Sequence, residues 1–385
     1  MTPAGPGRSP GGFGRSPTGL PRVAFYAPLK SPDHPVPSGE RTMARLLLRA
    51  LAAAGLAPET ACSLRTRDPD GARHAALREA GRAEAARLTA LWRADPPRLW
   101  FTYHVYYKAP DWTGPLVAAA LGIPYVVAEG SRAGKRAQGP HALGHAGAEA
   151  ALDAAALILV MNRRDRPALE AARPQAQILA DLPPFLDPAD WPPAPPRDRP
   201  AGPLRLLTVA MMRPGDKLAS YRLLADALRR LGPLAWSLDV AGDGPAAAAV
   251  AAALAPFGAR VRRHGALGAA ALAGLYAQAD LLVWPAVNEA YGMALLEAQA
   301  QGCPVVAGGY GGVPDVVRDG LTGRVTAPGD ADALAGAIRE LAADPAARAA
   351  MAAAALVFAR EERSLARAAA HLRDTLRDTL GACLA

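Results

Sequence analysis

The sequence predicts an α/β protein built of two doubly wound domains facing a cleft, and three observations predict it. At 385 residues the chain exceeds what one hydrophobic core usually organises, so two domains follow. Strand-length apolar runs alternate with Ala/Leu/Arg-rich helical stretches in both halves, the pattern of parallel sheets covered on both faces. Between the halves, residues 183–203 are dense in proline, which fixes φ and removes a donor, so neither a helix nor a central strand passes through.

The elements follow in order. Residues 1–20 hold Pro, Gly and Ser with no apolar run, which predicts a disordered tail and not a signal peptide. In the N-terminal domain, 21–182, "PRVAFYAPL" reads as a strand and "GERTMARLLLRALAAAG" as a helix ended by Gly55. "RLWFTYHVYY" is a strand, "TGPLVAAALG" a helix ended by Gly122, and "IPYVVAEG" a further strand. "ALGHAGAEAALDAAALILV" carries His145, Glu149 and Asp153, so it is not a membrane span. After the linker, the C-terminal domain, 204–355, runs "LRLLTVAMM" as a strand, "LASYRLLADALRRLG" as a helix and "AWSLDVAG" as a strand. "PAAAAVAAALAPFG" and "ALAGLYAQA" are helices, "DLLVWPA" a strand, "GMALLEAQAQG" a helix and "CPVVAGG" a strand. Residues 356–385 close the chain with helices.

Charge separates the halves. Residues 1–182 hold 23 Lys+Arg against 15 Asp+Glu, while residues 204–355 hold 13 against 13. The net charge of +8 therefore sits in the first half, which suits an anionic partner: a phosphorylated acceptor, acidic lipid headgroups or nucleic acid. No aromatic-rich basic stripe supports nucleic acid. Cys62, Cys303 and Cys383 lie far apart with no paired spacing, which argues against a zinc site or disulfide framework and for a reducing compartment. The expectation is a cytoplasmic protein without a bound metal, touching the inner membrane face peripherally through its basic half.

Ligands of doubly wound sheets bind at the carboxyl ends of strands, so the loops there are where chemistry is sought. After "DLLVWPA", Asn288 can cap the next helix, which puts Glu289 at the helix mouth beside the unpaired amides of Tyr291, Gly292 and Met293. Glu297 lies one to two turns further in. A carboxylate accepts two hydroxyl hydrogen bonds, so a sugar on Glu289 and a ribose on Glu297 is one reading; a cap acid plus a surface acid is the other, and spacing alone leaves both open. "AMMRPGDK" places Arg213 and Lys217 after one strand, and "DVAGDGPA" places Gly242 after the next.

With these pieces in order, residues 204–345 resemble the retaining glycosyltransferases of family 4, which have the two-domain GT-B fold. The resemblance rests on "EAYGMALLE" followed by "GCPVV", with "GDGP", "HGAL", "ADLLVWP", "GGVPDVV", "DGLTG" and "PGD" around it. It implies that Arg213 and Lys217 grip a donor diphosphate, that Glu289 with the amides after it clamps the sugar, and that Glu297 meets the nucleotide ribose. The donor is then a UDP- or GDP-sugar bound as co-substrate, and the acceptor lies on the first domain, to which the last helix returns. Domain closure brings the two together and excludes water. The first half resembles the family less densely: Ser38-Gly39 stands in its glycine loop, and His104 resembles its histidine near the acceptor. Glu129 stands where many relatives have a histidine. The activity implied is a metal-independent, retaining hexosyl transfer in cell-envelope polysaccharide or glycoconjugate synthesis. The alternatives are a nucleotide-sugar epimerase or phosphorylase-like enzyme of the same fold, a dinucleotide-binding oxidoreductase, and a non-catalytic sugar-nucleotide sensor. For the oxidoreductase, "AGDGPAAA" offers Gly242 and Gly244 but Ala247 in the third glycine position.

Overall fold

The computed structural model describes residues 16–192 and 202–384; residues 1–15 of the expected tail and 193–201 of the expected linker lie outside them. The chain divides into two units, one running to Leu182 and taking in the segment from Ala368, the other spanning Pro183–Arg367.

In the first unit the strands are β1 (Arg22–Tyr26), β2 (Ala57–Thr60), β3 (Leu99–Val105), β4 (Tyr125–Gly130), β5 (Leu157–Val160) and β6 (Ile178–Asp181). The helices are α1 (Gly39–Ala53), α2 (His74–Trp92), α3 (Gly114–Leu121), α4 (Ala142–Ala154) and α5 (Arg166–Ala172). All pairings are parallel, in the order β2-β1-β3-β4-β5-β6. The central strands β4 and β5 are buried along their whole length, as strands covered on both faces must be. Where β3 hands over to α3, the buried carboxylate of Asp111 ties the turn. It accepts from the backbone amides of Thr113 (2.8 Å) and Gly114 (2.7 Å) and from the hydroxyls of Thr102 (2.6 Å) and Tyr125 (2.9 Å). Burial raises its carboxyl against these four bonds, so it is a structural acid that exists only because the network is complete.

The second unit carries β7 (Leu204–Val209), β8 (Trp236–Ala241), β9 (Val261–Gly265), β10 (Leu281–Trp284), β11 (Val305–Gly308) and β12 (Gly323–Thr326). Its helices are α6 (Asp216–Arg229), α7 (Ala247–Leu254), α8 (Ala269–Gln278), α9 (Met293–Ala300), α10 (Val313–Val316), α11 (Ala331–Ala343) and α12 (Pro345–Val357). The last helix, α13 (Leu365–Leu384), starts here and enters the first unit from Ala368. The strand order is β12-β11-β10-β7-β8-β9, again all parallel. Strand order therefore reverses between β1 and β3 in the first unit and between β7 and β10 in the second. At such switch points the connections leave to opposite faces and open a crevice beyond the strand ends. Among the described residues no single helix is long and apolar enough to cross a membrane.

The loops after β7 and β8 touch through backbone. A Cβ on Gly242, which sits at φ 145, would lie 1.9 Å from the Ala210 carbonyl oxygen. Glycine is required there so that the loop bearing Arg213 can lie against it. Gly242→Ala is expected to cost roughly 2–4 kcal/mol, as left-handed strain plus a backbone clash. A lower thermal unfolding midpoint of the ligand-free protein checks this; an unchanged midpoint would show that the glycine serves something other than packing.

Candidate active site

In the second unit the switch point gathers the loops after β7 and β10. Gly215 turns the chain at φ 80 into α6, and Lys217 follows in its first turn. Trp284 ends β10, 3% exposed, with the ring of Tyr221 from α6 against it edge-on at 5.2 Å. Lys217 Nζ hydrogen-bonds Glu289 Oε2, to which Trp284 Nε1 also donates at 3.1 Å, and the same Nζ lies 5.3 Å from the Trp284 ring centroid. One carboxylate oxygen thus holds a cation and an indole together (a charge pair, a hydrogen bond and a cation–π contact on one atom set). Arg213, four residues before Lys217, is exposed, and its guanidinium has no partner among the described residues.

The loop between β10 and α9 is shaped for this. Ala286 and Asn288 both take positive φ, 59° and 48°, a strained choice for residues other than glycine. Ser220 Oγ accepts from the Val287 amide at 3.0 Å, and Asn288 Nδ2 donates to Asp216 Oδ1 at 3.0 Å. Behind the loop, Gly311 at φ 54 approaches so closely that a Cβ would stand 2.0 Å from the Glu289 carbonyl oxygen. One expectation is corrected here. Asn288 does not cap the helix, because α9 begins only at Met293 with Gly292 as its cap, at φ 73 and ψ 82, and the Asn288 side-chain amide donates to Asp216 instead. The first-turn amides of α9 start with Met293, Gly292 is the turn before them, and the buried Tyr291 precedes both.

Glu297 sits further along α9. Its Oε2 accepts from the Tyr276 hydroxyl of α8 at 3.0 Å, and no cation pairs with it among the described residues. Burial pushes its carboxyl up to about 7, and the Tyr276 bond only partly offsets that. A carboxyl raised this way contributes stability in full below its unfolded value, about 4.3, and loses it as pH rises through about 7. Donors from a ligand would reverse that shift.

The first unit brings together a second group at its own switch point. His104 in β3 and Glu129 in β4 both take positive φ, 65° and 60°, on neighbouring strands. His104 Nδ1 lies 2.9 Å from Glu40 Oε2 and 3.7 Å from Glu129 Oε2. Burial opposes a charge on His104, but Glu129 and then Glu40 overcome it and lift the imidazole to about 9. His104 is therefore an imidazolium near neutral pH, a hydrogen-bond donor and counter-charge and not a proton acceptor. The donor atoms of Glu40, His104 and Glu129 lie within 4.8 Å of one another, a spacing in which a divalent cation could replace the proton. Gly39 opens α1 beside them, exposed, with Ser38 Oγ capping the helix by accepting from the Arg41 amide at 3.3 Å. Two members, Glu40 and Trp284, were not singled out from sequence. For Glu40 the available signal was an acid directly after the Ser38-Gly39 loop.

The comparisons with known proteins bear on these loops. Residues 203–344 match the family of glycosyl transferases group 1. That match holds Arg213, Lys217, Glu289 and Glu297 together. A D-inositol 3-phosphate glycosyltransferase of Mycobacterium avium (strain 104) is 49% identical over 72 residues, 18% of this chain and 17% of that protein. The protein of the same name from Corynebacterium aurimucosum is 38% identical over 109 residues, 28% of this chain and 26% of its own length. The chain thus matches only a minor part of these curated relatives. Whole-chain similarity is structural. Sucrose-phosphate synthase from Thermosynechococcus elongatus aligns with a TM-score of 0.72 at 21% identity over 94% of this chain and 100% of that one. Anabaena HepE, in complex with UDP-glucose, aligns at 0.68 and 16% identity over 93% and 100%. The fold is the GT-B class, two Rossmann-like units with parallel sheets.

The acid–imidazolium group makes a direct prediction. His104 gains its charge from folding, so its contribution to stability is full below about 6.5 and disappears as pH rises through about 9. An NMR titration of the His104 ring should find its midpoint near 9, and Glu129→Gln should lower it by about one unit or more. A midpoint at the ordinary histidine value in both proteins would contradict the arrangement.

Proposed function

We propose that this protein is a glycosyltransferase that moves a sugar from a UDP- or GDP-sugar to an acceptor hydroxyl with retention of configuration. The observation that carries the reading is the Lys217–Glu289 pair at the β7/β10 switch point, within the stretch that matches glycosyl transferases group 1. Breaking a sugar–diphosphate bond develops charge on the leaving phosphate. Lys217, held by Glu289, is a cation fixed beforehand where that charge forms, and Arg213, exposed and without a side-chain partner among the described residues, is free to join it, a role that otherwise falls to a metal. Glu289 then holds sugar hydroxyls beside the first amides of α9, and Glu297 takes the ribose hydroxyls, whose donation suits a carboxyl now held up by burial.

The acceptor belongs to the first unit. Because His104 is already protonated, it does not take the acceptor's proton. A donor phosphate oxygen on the same face of the sugar is the base in this account, which is how retention arises without a protein nucleophile. The imidazolium orients the acceptor. Hexosyl transfer of the family 4 type, in cell-envelope polysaccharide or glycoconjugate synthesis at the cytoplasmic membrane face, is the setting that this chemistry and the basic first half fit best.

Thermal-shift titration against a nucleotide panel without added metal tests the reading. Stabilisation by a nucleoside diphosphate is expected, and stabilisation by NAD(P) alone would overturn it. Glu297→Ala should weaken nucleotide binding by about 1–2 kcal/mol, the loss of hydrogen bonds to a carboxylate. Glu289→Ala should leave nucleotide binding within about threefold yet reduce sugar transfer about a hundredfold or more. If both variants turn over the identified donor like wild type, these acids are not the donor site.

A further inference from the structure

The excess positive charge of the first half has a location. After β2 the chain runs extended through Arg65, Thr66, Arg67 and Asp68, and burial alternates along it. Thr66 is 0% and Asp68 1% exposed, whereas Arg65 is exposed and Arg67 half-buried. Burial thus alternates with the two arginines on the more open side, near enough for the Arg67 charge to act on Arg65. The segment is pinned on both flanks. Pro28 O accepts from the Thr66 amide at 3.0 Å, Pro110 O from Thr66 Oγ1 at 2.7 Å, and Lys108 O from the Asp68 amide at 2.7 Å. Arg65 Nε is spent on Leu29 O at 3.0 Å, which fixes its stem and leaves the two terminal nitrogens free to turn outward.

Among the described residues no acid answers this charge. Asp68 Oδ2 accepts from the Arg73 amide at 2.6 Å and Asp70 Oδ1 from the Ala72 amide at 3.1 Å, so both nearby acids serve the start of α2. Ion pairs do form elsewhere in the unit: Arg82 with Glu79, Arg87 with Glu84 and Arg166 with Asp181. Arg65 and Arg67 have none among the described residues. The like charges press on one another. Arg65 is held below its usual value first by desolvation and then by Arg67 and Arg73, and His34 first by desolvation and then by Lys30 and Arg65. Arg67 also lies at the Tyr106 hydroxyl, and the Tyr106 ring is 4.9 Å from that of His104, so the pair continues directly from the imidazolium group.

We infer that Arg65 and Arg67 form a subsite for a phosphate group carried by the acceptor, placed beside His104. Two guanidinium groups close enough to repel one another suit a tetrahedral dianion, which can accept from both. This rests on the glycosyltransferase reading only for the word acceptor; the phosphate site stands on the geometry. The phosphate can belong to a soluble phosphorylated sugar or to a lipid headgroup.

The test is binding by the full chain in two arms: glucose 6-phosphate against glucose, and phosphatidylcholine vesicles with and without 20% phosphatidic acid. Arg65→Gln/Arg67→Gln should weaken the phosphate arm that binds at least tenfold, with UDP or GDP binding unchanged. Arg78→Gln/Arg82→Gln, an equal charge loss on α2, should match wild type. Binding of glucose 6-phosphate assigns the site to a soluble phosphate, and binding only to acidic vesicles assigns it to a headgroup. Retained affinity in the Arg65/Arg67 variant, equal binding of glucose, an equal loss in the α2 control, or no binding in either arm overturns the inference. Failure of the glycosyltransferase reading would show separately, as wild type that no nucleoside diphosphate stabilises.

Discussion

The second unit is organised around one ion pair, Lys217 with Glu289, laid against the Trp284 indole. A carboxylate this close to a buried aromatic would be costly alone, and Lys217 and the indole N–H together make it tolerable. Everything local serves to bring the three together. The left-handed Ala286 and Asn288 bend the loop, the Ser220 hydroxyl and Asp216 carboxylate hold it, and Gly311 lets the next loop pass behind it. Backbone strain of this kind clusters at binding sites, which marks this loop as the candidate one.

The first unit repeats the scheme with the signs exchanged: one cation, His104, is held by two acids, Glu40 and Glu129. Again non-glycine residues at positive φ mark the place, and again it is the point at which the strand order reverses. Each unit thus places its non-glycine residues of positive φ and a partly buried charge pair at one switch point. Asp111 shows the contrast: a buried acid with every lone pair occupied by the protein has nothing left for a ligand.

How much of this could be read from sequence follows from chain distance. The parallel sheets were legible because runs such as "LLVW" and "LILV" declare a strand buried on both faces. Strand β2, "APET", has no apolar run, and α4 and β5 are fused in one alanine-rich stretch that only a kink at Ala155 separates, so neither boundary was readable. Glu289, Arg213 and Lys217 were legible through an ordered set of motifs. The partnerships were not: Lys217 and Glu289 are 72 residues apart, and His104 and Glu40 are 64. The misplaced cap has the same origin. Asn288 is an ordinary cap residue by its neighbours, but the helix starts only at Met293, and the Asn288 side-chain amide donates to Asp216, which is distant in sequence.

The proposal for Glu297, raised by burial and paired with no cation among the described residues, is that it receives hydroxyls of a nucleotide sugar. It is tested most directly by counting protons. Calorimetric titration of a nucleotide sugar, whose diphosphate does not titrate near neutrality, is run at pH 7 in buffers of different ionisation enthalpy. Release of about half a proton per donor bound is expected, because a carboxyl near 7 becomes fully ionised on accepting hydrogen bonds. The release should vanish in Glu297→Gln. Heats independent of buffer in the wild-type protein would contradict it.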